Sequence, residues 1–270
     1  MIVTVVTPTL NAAHFLRECI ASVQRNNSSK VETEHVIVDG GSDDDTVAIA
    51  EAAGLRVLQG RDSGIFDAIN KGSFAASGQL LGFLGADDVM LEGALDAVVD
   101  AYEESGRRWV VGGIRWIDSQ GNDIGGLAAP PTWMTVRMHV CVGWNPIMHM
   151  ATYIARDLFA ELGGFDIRFR DAGDYDMFAR ALDKEPFQPV ERPLACFRRT
   201  GLNNSVRYRE RARAESAEIE QRFGPVSDVE RRLWNVTMRS WFNLRNPAWM
   251  ISKANGRAAA AVGWRQARHF

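Results

Sequence analysis

The N-terminal part of the chain alternates short apolar runs with stretches in which apolar side chains recur at helical spacing. The apolar runs predict strands at residues 2–7, 36–38, 55–58 and 79–84. The helical spacing predicts helices at residues 14–25, 47–53, 65–76 and 91–104. Strand–helix units that repeat at this length are typical of an α/β protein with a mostly parallel sheet flanked by helices.

Polar loops follow three of the four predicted strands. Thr7-Pro8-Thr9-Leu10-Asn11 ends the first strand, Asp39-Gly40-Gly41 ends the second, and Gly85-Ala86-Asp87-Asp88 ends the fourth. In such sheets, ligands bind at the carboxyl ends of the strands, which lie along one edge. The three loops therefore predict one binding site.

The adjacent acids Asp87 and Asp88 are the most informative part of these loops. Two carboxylates directly after a buried strand repel each other and have no cationic neighbour in the sequence. A divalent cation would relieve this repulsion, because Mg²⁺ and Mn²⁺ take carboxylate and phosphate oxygens together. The alternative is a turn in which one acid caps a helix that begins near Leu91. Asp39 also has two interpretations, a contact to a ribose or nucleobase and a turn residue before two glycines.

Two common nucleotide-binding motifs are missing from the sequence. The first strand is not followed by GxGxxG, so the pyrophosphate-binding turn of dinucleotide-dependent oxidoreductases is not there. The sequence contains no GxxxxGK[ST] either, which argues against a P-loop NTPase.

Composition is that of a globular protein with a large core, at 46% hydrophobic and 24% charged residues in a chain of 270. The net charge of −3 conceals an asymmetry, since residues 231–270 contain eight Lys or Arg and no acid. The remainder has 23 basic and 34 acidic residues, a net charge of −11. A main body of this charge is not expected to bind nucleic acid.

The three cysteines, Cys19, Cys141 and Cys196, are widely spaced and lack a CxxC pattern. Free buried thiols are therefore expected, as in a reducing compartment. Residues 1–6 lack the basic n-region of a signal peptide, and no apolar run approaches the ~18 residues needed to span a bilayer. These features predict a cytoplasmic protein.

Seven segments together resemble the family 2 glycosyltransferases of the GT-A fold, and the resemblance extends from residue 2 to about residue 205. They are residues 7–11 (TPTLN), 38–46 (VDGGSDDDT), 62–72 (DSGIFDAINKG), 83–88 (FLGADD), 149–152 (HMAT), 163–166 (GGFD) and 174–176 (DYD). Each segment is weak evidence alone, but their shared order is specific. The subgroup that the chain resembles assembles bacterial polysaccharides or glycolipids.

The resemblance implies an inverting glycosyltransferase, of the hexosyltransferase type, that uses a UDP, GDP or dTDP sugar and a hydroxyl acceptor. It implies a divalent cation, Mg²⁺ or Mn²⁺, held by Asp88, with Asp87 against the ribose. The residues expected to bind the nucleotide sugar are Thr7, Pro8, Thr9, Asn11, Asp39, Gly41, Asp62, Gly64, Asn70, Lys71 and Asp87. For Lys71 the alternative is a surface ion pair with Asp67, four residues earlier. Gly85 departs from the family, in which many members carry Asp or Asn at this position.

An inverting transfer needs a carboxylate that takes the proton from the acceptor hydroxyl. Asp174 is the predicted base, because it begins a helix pattern at residues 174–182 and a helix N-terminus favours its charged form. Asp176 is the alternative base. His149 is interpreted either as a structural residue or as an acceptor or phosphate contact. Arg199 belongs to a polar loop at residues 198–205 that either closes over the diphosphate or is simply solvated.

The resemblance divides the chain into a catalytic domain at residues 1–225 and a helical extension at residues 226–270. The catalytic domain has a nucleotide-sugar half, 1–105, and an acceptor half, 106–225, in which residues 109–124 suggest hairpins. The basic extension is also rich in apolar side chains: Trp234, Trp241, Phe242, Trp249, Met250 and Trp264. Aromatic side chains interleaved with Arg favour contact with an anionic membrane surface. We expect this contact at the inner face of the plasma membrane, where it would bring the site to a lipid-linked acceptor. The alternative is packing against the body or a second subunit.

Two other functions remain open from the sequence. A sugar-nucleotide pyrophosphorylase has a related nucleotide fold, but its Gly-rich basic signature is missing from residues 7–11. A non-catalytic nucleotide-sugar-binding module would have lost the acids, whereas Asp39, Asp87, Asp88 and Asp174 are all present.

Overall fold

The computed structural model describes residues 1–200 and 208–246. The strands are β1 Ile2–Thr9, β2 Glu32–Asp39, β3 Arg56–Gln59, β4 Leu80–Phe83, β5 Val89–Met90, β6 Trp109–Asp118, β7 Asp123–Leu127, β8 Thr152–Ala155 and β9 Gln188–Arg199. The helices are α1 Ala13–Gln24, α2 Thr46–Ala52, α3 Ile65–Phe74, α4 Ala94–Ser105, α5 Val136–Val142, α6 Arg156–Glu161, α7 Gly173–Lys184, α8 Arg209–Arg222 and α9 Asp228–Arg245, with a 3₁₀ turn at His149–Ala151.

One sheet runs through the described part of the chain in the order β3-β2-β1-β4-β8-β6-β9-β5, with β7 paired to β6. The first four strands in this order are parallel, as the alternating pattern predicts. β8 is antiparallel to both β4 and β6, so the second half of the sheet is mixed. The hairpin expected at residues 109–124 is β6–β7.

The parallel half is buried on both faces, which explains its continuous apolar strands. Val3 and Val5 of β1 are fully buried, as are Leu80 and Leu81 of β4. Helix α3 lies directly on β1 and β2 because residue 72 is a glycine. A Cβ atom at Gly72 would come within 2.5 Å of a Val6 methyl and 2.8 Å of a Val38 methyl.

The helix predicted to begin near Leu91 begins instead at Ala94, after Gly93. Val89 and Met90 form β5, which pairs with β9, and the Leu91 N–H donates to the Leu194 carbonyl. The interpretation of Asp87 or Asp88 as a helix cap is therefore wrong, because these acids lie in a turn between two strands. The partner strand is about a hundred residues away, so local periodicity could not reveal it.

Helix α9 packs on α5 through one of its faces. Met238 is fully buried and Phe242 nearly so, while Trp234 and Trp241 pack against the same core. Ser227 and Glu230 form a capping box at the start of the helix. Trp249, Met250 and Trp264 lie outside the described residues. Across the described ranges, every helix is too short or too polar to cross a bilayer.

Cys19, Cys141 and Cys196 are buried and unbridged, as expected from their spacing. Burial raises the pKa of the Cys19 thiol, which keeps it protonated. These side chains therefore act as small apolar groups in the core.

Replacement of Gly72 by alanine should destabilise the fold, because the added methyl has to displace Val6 or Val38. The expected loss is about 1–3 kcal/mol of the free energy of unfolding, measured by urea denaturation. Ser73→Ala is the matched control on the next residue of α3. The Ser73 hydroxyl is buried and has no hydrogen-bond partner among the described residues, so its removal should cost nothing. Equal stability of Gly72→Ala and wild type would contradict this packing argument.

Candidate functional site

Asp39 organises the first two loops at the carboxyl edge of the parallel strands. Its carboxylate accepts hydrogen bonds from the backbone N–H groups of Gly41 and Ser42 at 3.0 and 2.8 Å. The hydroxyls of Ser42 and Thr9 donate to it at 2.5 and 3.0 Å. Burial tends to raise the pKa of Asp39, but these hydrogen bonds outweigh burial and hold it below its ordinary value. The ionised carboxylate therefore shapes the loop around Gly41, whose φ of 103° suits glycine.

The neighbouring loops are joined to this carboxylate by further hydrogen bonds. Asn11, with a left-handed φ of 52°, donates its N–H to the Ser42 hydroxyl and accepts from the Asp43 N–H. Asp62 accepts from the Gly64 N–H and lies close to Gly40, where a Cβ would come within 2.7 Å of its Oδ2. The loops after β1, β2 and β3 thus form one connected polar rim, which we call the nucleotide rim (residues 9–11, 39–43 and 62–64).

Not every predicted nucleotide-binding residue points to this rim. Thr7 is fully buried and shares a hydrogen bond with His35. The Asn70 amide holds the backbone N–H and carbonyl of Phe165, both at 2.8 Å. Lys71 is exposed and donates to the Arg61 carbonyl and to Asp67, which matches the surface ion pair left open above. Pro8 lies within β1, in register with Val38.

Asp87 and Asp88 occupy the tight turn after β4, two strands along the sheet from Asp39. Asp88 is only 2% exposed, and burial, followed by the charge of Asp87, raises its pKa to about 7. Burial also raises the pKa of Asp87. Among the described residues, no side chain donates a hydrogen bond to either carboxylate. The Asp88 carboxylate instead accepts the backbone N–H of Arg198 at 3.0 Å.

Gly85 is what allows both acids to fold back over the turn. A Cβ at this position would lie 2.8 Å from Asp88 Oδ2 and 3.1 Å from Asp87 Oδ1. An acidic side chain at residue 85 would therefore displace the two carboxylates.

Arg198 is a site residue that the sequence analysis missed. Its side chain is 2% exposed, and its guanidinium donates to the Asp87 carbonyl at 2.8 Å and to Glu18 at 2.6 Å. It also lies over the Phe15 ring, 4.8 Å from the centroid. Arg198 thus fixes the backbone of the acid turn, and within residues 1–200 and 208–246 neither carboxylate accepts a hydrogen bond from a side chain.

The sequence of β9 contains no signal that separates Arg198 from Arg199, because the four residues before them, 194–197, are all apolar. Arg199 lies instead over the Trp116 ring, 4.7 Å from the centroid. Residues 201–205 of the predicted polar loop lie outside the described residues.

His149 connects the acid turn with the predicted base. Its Nδ1 lies 3.7 Å from Asp174 Oδ2, an ion-pair distance. Burial tends to lower the pKa of His149, but hydrogen bonding and charge from Asp174, and then the charges of Asp88 and Asp87, raise it above its ordinary value. The imidazole of His149 therefore interacts electrostatically with Asp87, Asp88 and Asp174, which are all far from it in the sequence.

The structure also distinguishes the two candidate bases. Asp176 is fully buried, and its carboxylate accepts hydrogen bonds from Arg180 at 2.7 Å and from Arg222 at 2.9 Å. Asp174, in the same first turn of α7, keeps a side chain that is 22% exposed beside His149. Of the two, Asp174 retains a free approach for an acceptor hydroxyl.

A metal is compatible with the donors at the acid turn. Within the described ranges, no three His, Cys, Asp or Glu side chains are grouped to hold an ion. Mg²⁺ and Mn²⁺ sites in nucleotide-dependent enzymes are commonly completed by substrate phosphates and water, with only one or two carboxylates from the protein. The buried carboxylate of Asp88 and the partly buried one of Asp87, to which no cationic side chain of the described ranges donates a hydrogen bond, fit such a site.

Sequence comparisons identify the family. The model of glycosyl transferase family 2 matches residues 4–159, more than half of the chain. The chain belongs to glycosyltransferase family 2. A PGL/p-HBAD biosynthesis glycosyltransferase of Mycobacterium bovis is 33% identical to it over 185 residues, which cover 66% of this chain and 68% of the relative. The family decides for a glycosyltransferase and against a nucleotidyltransferase or a non-catalytic module.

Solved structures confirm the GT-A fold of this glycosyltransferase. S. aureus TarS 1-349 in complex with UDP-GlcNAc matches with a TM-score of 0.60 at 18% identity, over 74% of this chain and 59% of that one. The mannosyltransferase PcManGT of Pyrobaculum calidifontis, in complex with GDP-Man and Mn²⁺, matches with a TM-score of 0.59 at 19% identity. That match covers 97% of this chain and 75% of the mannosyltransferase.

Asp88→Asn should stabilise the metal-free glycosyltransferase, and the gain should grow with pH. Asp88 has a pKa of about 7 when folded and an ordinary value of 3.8, so the folded protein keeps a proton that the unfolded chain releases between these values. The wild type therefore loses stability as pH rises through this window, whereas the neutral amide does not.

Thermal unfolding with a chelator should show a gain in melting temperature of about 2 °C or more at about pH 8, which shrinks towards about pH 5. Asp183→Asn, an exposed acid at the far end of α7, is the control and should show no such trend. A gain from Asp88→Asn that does not change with pH would disprove the explanation.

Proposed function

We propose that this glycosyltransferase moves a sugar from a nucleoside-diphosphate sugar to a hydroxyl acceptor, with inversion at the anomeric carbon. The observation that carries the proposal is that His149 lies 3.7 Å from the Asp174 carboxylate while the charges of Asp88 and Asp87 also raise its pKa. A donor bound at the turn and an acceptor at Asp174 would then meet at this imidazole.

The nucleotide rim supports binding of the base and ribose. Its ionised Asp39 is fixed by four hydrogen bonds, and backbone groups of residues 40–43 and 62–64 line the same edge of the sheet. Asp87, at the end of the adjacent strand, is the proposed ribose contact. The neighbours solved with UDP-GlcNAc and with GDP-Man support a nucleotide-sugar donor, with UDP, GDP and dTDP as the candidate carriers.

We assign the divalent cation, Mg²⁺ or Mn²⁺, to Asp88. Asp88 would hold the ion, which when bound would supply positive charge against the charge that grows on the diphosphate leaving group. PcManGT, which has the same fold, was solved with Mn²⁺. Arg198 holds the backbone of this turn, and Arg199 is a candidate counter-charge for the diphosphate.

Asp174 is the proposed general base. Its Oδ2, oriented by the imidazole of His149, would take the proton of the acceptor hydroxyl while that oxygen attacks the anomeric carbon. The bond to the diphosphate breaks on the opposite face of the sugar, so configuration inverts. The Tyr175 N–H donates to Asp174 Oδ1 at 2.8 Å and leaves Oδ2 for this role.

The acceptor is proposed to be a glycolipid or polysaccharide intermediate, in a process of the cell envelope. The support is the M. bovis relative, which is named for PGL/p-HBAD biosynthesis. A lipid-linked acceptor would place the enzyme at a membrane surface.

Calorimetric titration with UDP, GDP and dTDP, with and without Mn²⁺, tests donor and cation together. One nucleotide should bind, and Mn²⁺ should strengthen its binding by at least about tenfold. Asp88→Ala should abolish the Mn²⁺ effect. Asp157→Ala, which removes a 71% exposed acid at the opposite edge of the sheet, should retain it. Equal Mn²⁺ dependence in wild type and Asp88→Ala would refute the assignment of Asp88.

Asp174→Asn should keep nucleotide affinity but lower turnover by about 10²-fold or more, the scale expected for loss of a general base. Sugar transfer is measured by release of the free nucleotide in the presence of an acceptor. Asp183→Asn, on the same helix, is the control and should remain active. If Asp174→Asn turned over at the wild-type rate, the base would have to be another group.

A further inference from the structure

Helix α9 has a second apolar face that is turned away from the core. Val229, Leu233, Val236 and Leu244 are 76%, 56%, 66% and 81% exposed. At 3.6 residues per turn they fall within an arc of about 80° on one side of the helix. Met238 and Phe242, which enter the core, lie on the other side. We call the four exposed side chains the outer stripe.

The concentration of exposed apolar groups on this helix is unusual. Of the nine large hydrophobic side chains that are exposed in residues 1–200 and 208–246, four belong to the outer stripe. Single exposed apolar residues are normal on protein surfaces, whereas a contiguous stripe marks a contact surface. Trp133, 41% exposed, packs edge-to-face on Trp241 of the same helix at a centroid distance of 5.6 Å.

Two exposed cations border the outer stripe on one side. Arg232 and Arg239 are exposed beside it, whereas Glu230 is drawn to Arg137 by an ion pair of 2.9 Å. Asp228, in the first turn, is the exposed acid of this helix. From residue 231 to residue 270 the sequence contains eight cations and no acid. An apolar stripe bordered by cations is complementary to an anionic lipid surface.

We propose that the outer stripe of α9 lies on an anionic phospholipid surface, with Arg232 and Arg239 at the headgroups. This inference goes beyond the proposed sugar transfer and does not depend on it. Such binding would hold the enzyme on a membrane leaflet, where it would meet lipid-linked acceptors directly.

A second copy of the chain fits the same surface less well. Four aliphatic side chains provide less than the ~800 Å² per partner that stable dimers bury. In a two-fold arrangement each stripe would meet its own counterpart, so the Arg232 and Arg239 pairs of both copies would be brought together. That repulsion disfavours a dimer, whereas an anionic surface neutralises it.

Co-sedimentation of the full-length protein with vesicles tests the proposal. Vesicles of phosphatidylglycerol and phosphatidylcholine are compared with vesicles of phosphatidylcholine alone. Wild type should bind the anionic vesicles preferentially. Leu233→Ser/Val236→Ser should lower the partition coefficient by at least about tenfold. Arg232→Gln/Arg239→Gln should lower it by roughly 30-fold, for two cations near an anionic surface.

The matched control is Ile124→Ser/Ile167→Ser, which removes two exposed apolar side chains elsewhere on the surface and should bind as wild type does. Nucleotide binding should be unchanged in every variant, so a failure here is separable from a failure of the proposed transfer. The arginine variant changes only exposed side chains and keeps the test valid if the serine variant fails to fold.

Three results would overturn the proposal. The first is wild-type protein that fails to bind the anionic vesicles or binds both vesicle types equally. The second is undiminished binding by the folded stripe and arginine variants. The third is a concentration-dependent dimer in sedimentation velocity that Leu233→Ser/Val236→Ser dissolves, since the stripe would then be occupied by a second copy.

Discussion

The candidate site depends on one constraint, the packing of two adjacent carboxylates, one buried and one partly buried, where β4 ends. Burial, and then the charge of Asp87, raise the pKa of Asp88 above its ordinary value. The turn survives because Arg198 reaches it from β9 and binds its backbone, while the Arg198 N–H donates to the Asp88 carboxylate. The guanidinium is itself anchored by Glu18 of α1. Three elements that are remote in sequence thus converge on one turn.

This arrangement leaves the carboxylates chemically available. A cationic side chain bound directly to Asp87 or Asp88 would satisfy them and compete with a metal, whereas a guanidinium on the carbonyl stabilises the turn without that competition. Gly85 lies close to both acids, since a Cβ there would come within 2.8 Å of Asp88 Oδ2. The carboxylates of Asp87 and Asp88 therefore attract positive charge, and the protein groups around them neutralise their charge only in part. Such a site is suited to a cation that arrives with a diphosphate.

Hydrogen-bond partners also distinguish the other acids of the candidate site. Asp176 and Asp39 are buried with full sets of hydrogen bonds, and each holds its surroundings in place. Asp174, which is partly exposed, has an imidazole at ion-pair distance from Oδ2 and accepts a backbone N–H at Oδ1. The two apolar faces of helix α9 also differ in their surroundings. Met238 and Phe242 on one face are buried in the core, whereas the described residues leave the outer stripe on the other face exposed.

The sequence by itself determined the alternation of strands and helices, the loops at the carboxyl edge and the family, because periodicity and motif order are local properties. It also indicated Asp88 and Asp174 as the acids to examine. Only the tertiary structure decided that β5 follows the acid turn and that Arg198, rather than Arg199, donates a hydrogen bond to the backbone of that turn. It also decided that the Asn70 amide binds the backbone of Phe165. Each of these depends on a hydrogen-bond partner some 95 to 111 positions away, as for Asn70 with Phe165 and Arg198 with Asp87. Which partner a polar group finds is settled by how the strands are ordered in the sheet, and no short window of sequence contains that order.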